Sequence, residues 1–197
     1  MINKNEIGID EAGRGPFFGP VYAAAVIWGD APDNELIKDS KKLSPKKRKE
    51  AVEWIKNNVK DYGLGYCSST EIDTLGILNA TQLAMERSIE NLKKENKNNK
   101  VIIIDGIGWE NRDFKTKFDS LTSVVKGDAK YRNIAAASIL AKEAHDEHII
   151  GMCLENEEIA IRYDLLKNKG YGTKKHIEGI KKYGLSEFHR QSFNINY

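Results

Sequence analysis

The sequence predicts an α/β fold, a mixed sheet flanked by helices, on three observations. Two short apolar stretches near the start are separated by a turn rich in glycine and proline. A β-branched run, Val101–Ile104, ends abruptly at Asp105-Gly106. Longer segments with helix caps and helical spacing lie between and after the strands. Strands that begin as a hairpin and are later joined through helices give both antiparallel and parallel neighbours.

In chain order, Glu6–Asp10 reads as the first strand and Val21–Trp28 as the second, joined by the wide turn Ala12–Pro20. Ser44-Pro45 opens a helix to about Val59, with serine as the cap and proline in the first turn. Tyr62–Ser68 is the third strand. A helix capped by Ser69 or Thr70 then runs to about Lys94, with Leu78, Leu83, Met85 and Ile89 among its apolar positions and one break near Gly76. The Lys- and Asn-rich stretch up to Lys100 reads as a solvated loop. Val101–Ile104 has the continuous apolar character of a strand buried on both faces. Leu121–Val125 is the fifth strand. From about Tyr131 to Glu155 the chain is alanine-rich and helical, and Ala135, Ala136, Ala137 and Ala141 let that helix press closely on a sheet. Lys167–Tyr171 reads as a loop, Thr173 caps a last helix to Lys182, and Gly184 stops it.

Length and composition bound the rest. With 197 residues, 40% hydrophobic and 30% charged, the chain is expected to form one domain over 1–197 with a substantial core. A net charge of +2 excludes little, because acidic catalytic groups mask basic surfaces in the sum. Cys67 and Cys153 are too few for a disulfide framework and are not spaced as metal ligands. Reduced, buried thiols in a cytoplasmic protein are expected. No apolar run approaches the ~18–20 residues of a membrane span, so no membrane association is expected.

The chemistry concentrates in residues 7–15, Ile-Gly-Ile-Asp-Glu-Ala-Gly-Arg-Gly. Burying the adjacent acids Asp10 and Glu11 is costly unless a cation neutralises them. Gly13 and Gly15 around Arg14 present backbone N–H groups and a guanidinium, suited to gripping a phosphate or a sugar. Asp105 ends another strand, and Asp128 follows the strand Leu121–Val125 by three residues. If these strands are neighbours, the acids meet at the sheet edge where α/β folds place their sites. Several carboxylates without a His or Cys cluster favour Mg²⁺-like cations over zinc. Asp146 competes with Asp128 for the fourth place, since it shares a helix face with Ser138 and Lys142; chain position favours Asp128. A cationic segment, Lys38, Lys41, Lys42, Lys46, Lys47, Arg48 and Lys49, is a candidate phosphate contact. Lys167, Lys169, Lys174 and Lys175 bracket Tyr171, which two glycines place in an exposed loop. His189-Arg190 either contacts substrate or packs the last helix.

Taken together, these residues resemble the ribonuclease HII family. The likeness lies in Gly8–Pro16 with Gly19-Pro20-Val21, Asp39–Leu43, Ile104-Asp105-Gly106, Lys126-Gly127-Asp128, Ala136–Lys142 and Lys169–Thr173. It implies an RNase H-like fold, a mixed five-stranded central sheet with a C-terminal helical substrate-binding portion at about 160–197. It implies a metal-dependent endoribonuclease that hydrolyses RNA in RNA–DNA hybrids. Such an enzyme also incises 5′ of single ribonucleotides embedded in duplex DNA, leaving 5′-phosphate and 3′-hydroxyl ends. By the resemblance Asp10, Glu11, Asp105 and Asp128 are the catalytic, metal-holding acids, for Mg²⁺ or Mn²⁺ in a two-metal mechanism. Gly13, Arg14 and Gly15 match the loop whose backbone reads the ribose 2′-hydroxyl, and Tyr171 the tyrosine that stacks on the deoxynucleotide sugar beyond the junction. Lys41, Lys42, Ser138 and Lys142 complete the implied substrate-binding set. A monomer is expected, with a sliding clamp as a conceivable partner of the tail Ser192–Tyr197. Three departures stand out: the bulky Phe17-Phe18, Tyr22 in an otherwise aliphatic stretch, and a poorly matched segment from 108 to 118. A non-catalytic hybrid-binding module is opposed by the presence of all four acids. A DNA nuclease of the same fold leaves the Gly-Arg-Gly loop and Tyr171 without a role.

Overall fold

The computed structural model describes residues 5–37, 43–96, 101–114 and 118–195. Five strands form one sheet in the order β3-β2-β1-β4-β5: β1 (Ile7–Ala12), β2 (Val21–Ile27), β3 (Asp61–Cys67), β4 (Val101–Asp105) and β5 (Ser120–Val124). β1, β2 and β3 are antiparallel neighbours, whereas β4 runs parallel to both β1 and β5. The mixed five-stranded sheet expected from the sequence is therefore present. β1 and β4, which carry three of the four acids, lie side by side at its centre.

Alternation along the strands sorts the two faces. Ile7 and Ile9, with Val21, Ala23, Ala25, Ile102 and Ile104, pack on α2 (Ser69–Leu75) and α3 (Ile77–Glu90). Ala24 and Val26 face α1 (Pro45–Asn58) and α4 (Arg132–Glu155), whose Ala136, Ala137 and Ala141 are fully buried. Small residues on both sides of that contact bring α4 against the sheet, which is how a residue of α4 reaches β1. A third apolar cluster joins Phe18, Ile149, Cys153, Tyr163, Leu165 and Ile180. It gathers α5 (Glu157–Arg162), α6 (Leu165–Asn168) and α7 (Lys174–Tyr183) around the far end of α4.

The caps explain most boundaries. Ser44 accepts from the Lys47 N–H ahead of Pro45, as the sequence signals. The cap of α2 is Ser68 rather than Ser69 or Thr70, because Glu71 three residues on completes a reciprocal capping box. The expected break falls at Gly76, with φ 76°. Two readings need correction. β1 ends at Ala12 rather than Asp10, paired along its length with β2, so Glu11 sits in the ladder beside Asp10 rather than in the turn. The predicted loop from Lys167 is partly helical, since α6 covers Leu165–Asn168, and α5 was not anticipated. Both helices are short and held by the third apolar cluster, which no local periodicity announces. Cys67 and Cys153 are free and buried, as expected. Among the described residues no helix is long and apolar enough to cross a membrane.

Candidate active site

One step beyond the paired residues Ile9 and Ile104 stand Asp10 and Asp105, on adjacent parallel strands. Asp10 points to the α4 face, is almost fully buried, and accepts from the Glu11 N–H at 2.7 Å and from Ser138 of α4. Asp105 Oδ1 accepts from the Gly127 N–H at 2.6 Å. That bond pins the short turn Gly127–Ala129, and with it Asp128, beside β4. A Cβ on Gly127 would press on the tip of Ile134 and come within 3.3 Å of Asp105 Oδ1, so glycine leaves room for this approach.

Asp10, Glu11, Asp105 and Asp128 line a single cavity of about 420 Å³ together with Gly13, Arg14, Gly15, Ser138, Lys142 and Tyr171. Residues up to 161 positions apart in the chain, Asp10 and Tyr171, share its walls. Lys41 and Lys42 lie outside the described residues. Burial and the neighbouring Glu11 and Asp105 charges push the Asp10 carboxyl well above the usual range. Burial also raises Glu11, against the hydrogen bond and charge of Arg14, whose Nη1 lies 3.0 Å from Glu11 Oε1. Glu11 Oε2 is buried with no hydrogen-bond partner. An orphaned carboxylate oxygen beside two further acids is a donor set short of positive charge, and all-oxygen donors suit a hard divalent cation. Among the described residues no three acidic, histidine or cysteine groups are already drawn together tightly enough to hold a metal unaided. The acids border the cavity rather than closing into a finished cage.

Asp146 does not line this cavity. It takes Arg48 Nη2 at 3.1 Å, Lys142 Nζ at 2.7 Å and His145 Nδ1 at 3.1 Å. Burial pushes its carboxyl up, but the bonds from His145 and Lys142 outweigh this and hold it below the ordinary value. Asp146 is thus a counter-charge that fixes Lys142 against the cavity, where Lys142 Nζ stands 5.3 Å from the Tyr171 ring centroid. Arg48, counted by sequence among the phosphate contacts, is buried and bonded to Glu143 and Asp146. Lys46, Lys47 and Lys49 around it are exposed.

The Gly13–Gly15 loop and the Tyr171 loop are fastened together by Phe17 and Phe18. Phe17 N–H donates to Gly170 O at 2.8 Å, its ring covers Gly172, and Phe18 is fully buried in the third apolar cluster. Below Tyr171, the Tyr171 carbonyl accepts from His176 Nδ1 at 2.9 Å. His176 Nε2 faces His189 Nε2 at 3.0 Å, and His189 Nδ1 accepts from the Ser186 N–H at 2.9 Å. Only one proton arrangement satisfies all three bonds: His176 carries its proton on Nδ1 and His189 on Nε2. Tyr22, the other departure, stacks on Tyr66 and bonds His148 Nδ1 at 2.8 Å.

That relay yields a pH prediction. Burial and the adjacent His176 push His189 from 6.5 down to about 4, and burial also lowers His176. The unfolded chain therefore takes up protons before the folded one does. The stability from these neutral imidazoles is fully present above about pH 6.5 and is lost as pH falls toward about 4. Thermal unfolding of the wild type should show a falling Tm across this window, and a His189→Gln variant should show a shallower fall. Equal slopes for the two proteins would refute the assignment.

Sequence reasoning left Arg190 open between substrate contact and packing, and missed His145 and His176 as supports of the site. Arg190 is fully buried and bonds four backbone carbonyls, a role that only spatial proximity reveals.

Comparison with known proteins gives a consistent picture. A family model described as Ribonuclease HII matches residues 7–196. A ribonuclease HII from Caldicellulosiruptor bescii is 44% identical over 192 residues, covering 96% of this chain and 86% of that protein. The crystal structure of ribonuclease H2 from Pyrococcus horikoshii OT3 is similar in fold, with a TM-score of 0.75 at 24% identity over 95% of this chain and 93% of that one. Bst-RNase HIII, solved in complex with Mn²⁺, matches 91% of this chain and 62% of its own with a TM-score of 0.65 at 21% identity.

Proposed function

The chain belongs to the ribonuclease HII family, hence is a divalent-metal-dependent endoribonuclease acting on RNA–DNA hybrids, and from that premise we propose how its residues divide the work. The observation that carries the reading is the single cavity shared by four acids, the Gly-Arg-Gly loop, Lys142 and Tyr171. Asp10, Glu11, Asp105 and Asp128 hold Mg²⁺ or Mn²⁺, two ions for one scissile phosphate. Bound there, such ions supply activation of the attacking water and neutralisation of the leaving oxygen. Asp10 is kept in place by Ser138 and the Glu11 N–H, and Glu11 by Arg14. Lys142, held by Asp146, adds positive charge to the cavity that the acids line. Gly13, Arg14 and Gly15 contact the 2′-hydroxyl through their backbone, since a group that both donates and accepts can be read there. Tyr171 lies against the following deoxyribose, where an added hydroxyl would disturb the packing.

The proposed reaction is incision 5′ of a single ribonucleotide in duplex DNA, with 5′-phosphate and 3′-hydroxyl products, as well as cleavage within longer hybrids. Lys46, Lys47 and Lys49 are proposed duplex contacts, which would make binding strongly dependent on salt. A monomer suffices for the site described. A sliding clamp is a candidate partner of the tail Ser192–Tyr197, of which Phe193 and Ile195 are packed on the body and Asn196 and Tyr197 lie outside the described residues. The test is a duplex with one ribonucleotide beside its all-deoxy counterpart, each with Mg²⁺, Mn²⁺ or chelator. Cutting of the first alone, 5′ of the ribonucleotide and abolished by chelator, is expected. Equal cutting of both duplexes would favour a DNA nuclease, and binding without cutting under either ion a hybrid-binding module.

A further inference from the structure

Arg190 has no exposed surface. Its Nε donates to Gly19 O at 2.9 Å, Nη1 to Arg14 O at 3.0 Å, and Nη2 to Gly13 O at 2.6 Å and Pro20 O at 2.9 Å. A guanidinium taken wholly out of water is costly unless its donors are paired. Here carbonyls from both ends of one loop solvate it. Arg190 is itself held: its N–H donates to Phe17 O at 2.8 Å, and Asp73 of α2 takes the N–H groups of Gln191 and Ser192 at 3.0 and 2.9 Å.

The consequence is directional. The peptide unit is planar, and the described chain contains no cis peptide bond. Each N–H therefore points opposite to the carbonyl of the same unit. With the Gly13 and Arg14 carbonyls drawn onto Arg190, the N–H groups of Arg14 and Gly15 are turned away from it, on a loop that lines the acidic cavity. Packing enforces the same pose from the other side. Gly13 has φ 89°, and a Cβ there would collide with the buried His145 ring.

We propose that Arg190 is the positioning residue for ribose recognition: it fixes the Gly13 and Arg14 carbonyls and so aims the Arg14 and Gly15 N–H groups at the substrate 2′-hydroxyl. This rests on the reading of the Gly-Arg-Gly loop given above. Lysine cannot replace it, because a point-like ammonium does not reproduce a planar fork bonded to four fixed carbonyls.

The test uses Arg190→Lys in the full chain, with Ca²⁺ in place of the catalytic ion. Affinities are measured for a duplex containing one ribonucleotide and for its all-deoxy counterpart. The wild type should prefer the first. In Arg190→Lys that preference should shrink by about tenfold, as for loss of one or two hydrogen bonds, while the all-deoxy affinity stays within about twofold. A preserved preference overturns the proposal, as does a parallel fall in both affinities, which would mark Arg190 as holding only the fold. A wild type with no preference would instead overturn the reading of the loop itself, and the proposal with it. If Arg190→Lys does not fold, backbone ¹⁵N relaxation of the free wild type decides. Order parameters near ~0.85 at Gly13, Arg14 and Gly15 support a pre-aimed loop, and values below ~0.6 overturn it.

Discussion

Asp10→Asn is expected to lower the cleavage rate by about 10²–10³-fold or more, as for removal of one preorganised electrostatic group, while leaving the protein folded. The side chain is nearly isosteric, and Asn Oδ1 can still accept from the Glu11 N–H that now binds Asp10. What disappears is a negative charge buried among like charges, from Glu11 and Asp105, that push its carboxyl well above the usual range. A carboxyl whose folded-state value is raised destabilises the folded protein once pH is high enough to ionise it. At neutral pH without divalent ions, Asp10→Asn should therefore melt at the same temperature as the wild type or higher. Divalent ions should raise the Tm of the wild type through binding to the folded state, and this rise should be reduced in the variant. Differential scanning fluorimetry with and without Mg²⁺ or Mn²⁺, beside the cleavage assay, measures both halves. A folded Asp10→Asn protein that cuts at the parental rate would remove the proposed metal site.

The second large effect is a dissociation between Asp128 and Asp146, the two acids between which the sequence left a choice. Asp128→Asn alters a cavity-lining carboxylate on a short turn. It should cost cleavage about 10²-fold or more and shift Tm by no more than about 2 °C, as for a change of about 0.5 kcal/mol in a chain of this size. Asp146→Asn removes a buried counter-charge shared by Arg48, Lys142 and His145. Breaking such a pair costs about 3 kcal/mol, the lower end for buried ions, because Arg48 keeps Glu143 at 2.7 Å. That is a Tm loss of about 10 °C. Cleavage by Asp146→Asn should weaken chiefly through KM, since Lys142 loses its anchor while the four acids are untouched. The reverse pattern, with Asp146→Asn inactive but stable and Asp128→Asn fully active, would exchange their roles.

Phe17 and Phe18 belong to one device with residues near the C-terminal end of the chain. Phe17, Phe18, His176, His189 and Arg190 tie the Gly13–Gly15 loop, the Tyr171 loop and the C-terminal segment into one unit. Bulk at positions 17 and 18 is thus a feature of how this chain packs these two loops together. The short helices α5 and α6 complete the support, since Leu165 and Tyr163 share the cluster that buries Phe18.

What the sequence determined by itself is what local physics encodes. The apolar strands, the Ser44 cap, the break at Gly76 and the alanine face of α4 each act over a few residues, and each was legible in order, whereas the cap of α2 fell one residue earlier than read. Asp10-Glu11 ahead of Gly-Arg-Gly was equally legible, because adjacent buried acids demand a compensating cation wherever they fold. Tertiary structure alone decided which distant groups share space. It placed Asp128 rather than Asp146 in the cavity, turned Arg48 inward, and set Arg190 beneath a loop at the other end of the chain. Such pairings depend on how helices and strands stack after they form, and a buried charge shows its partner only when both have left water.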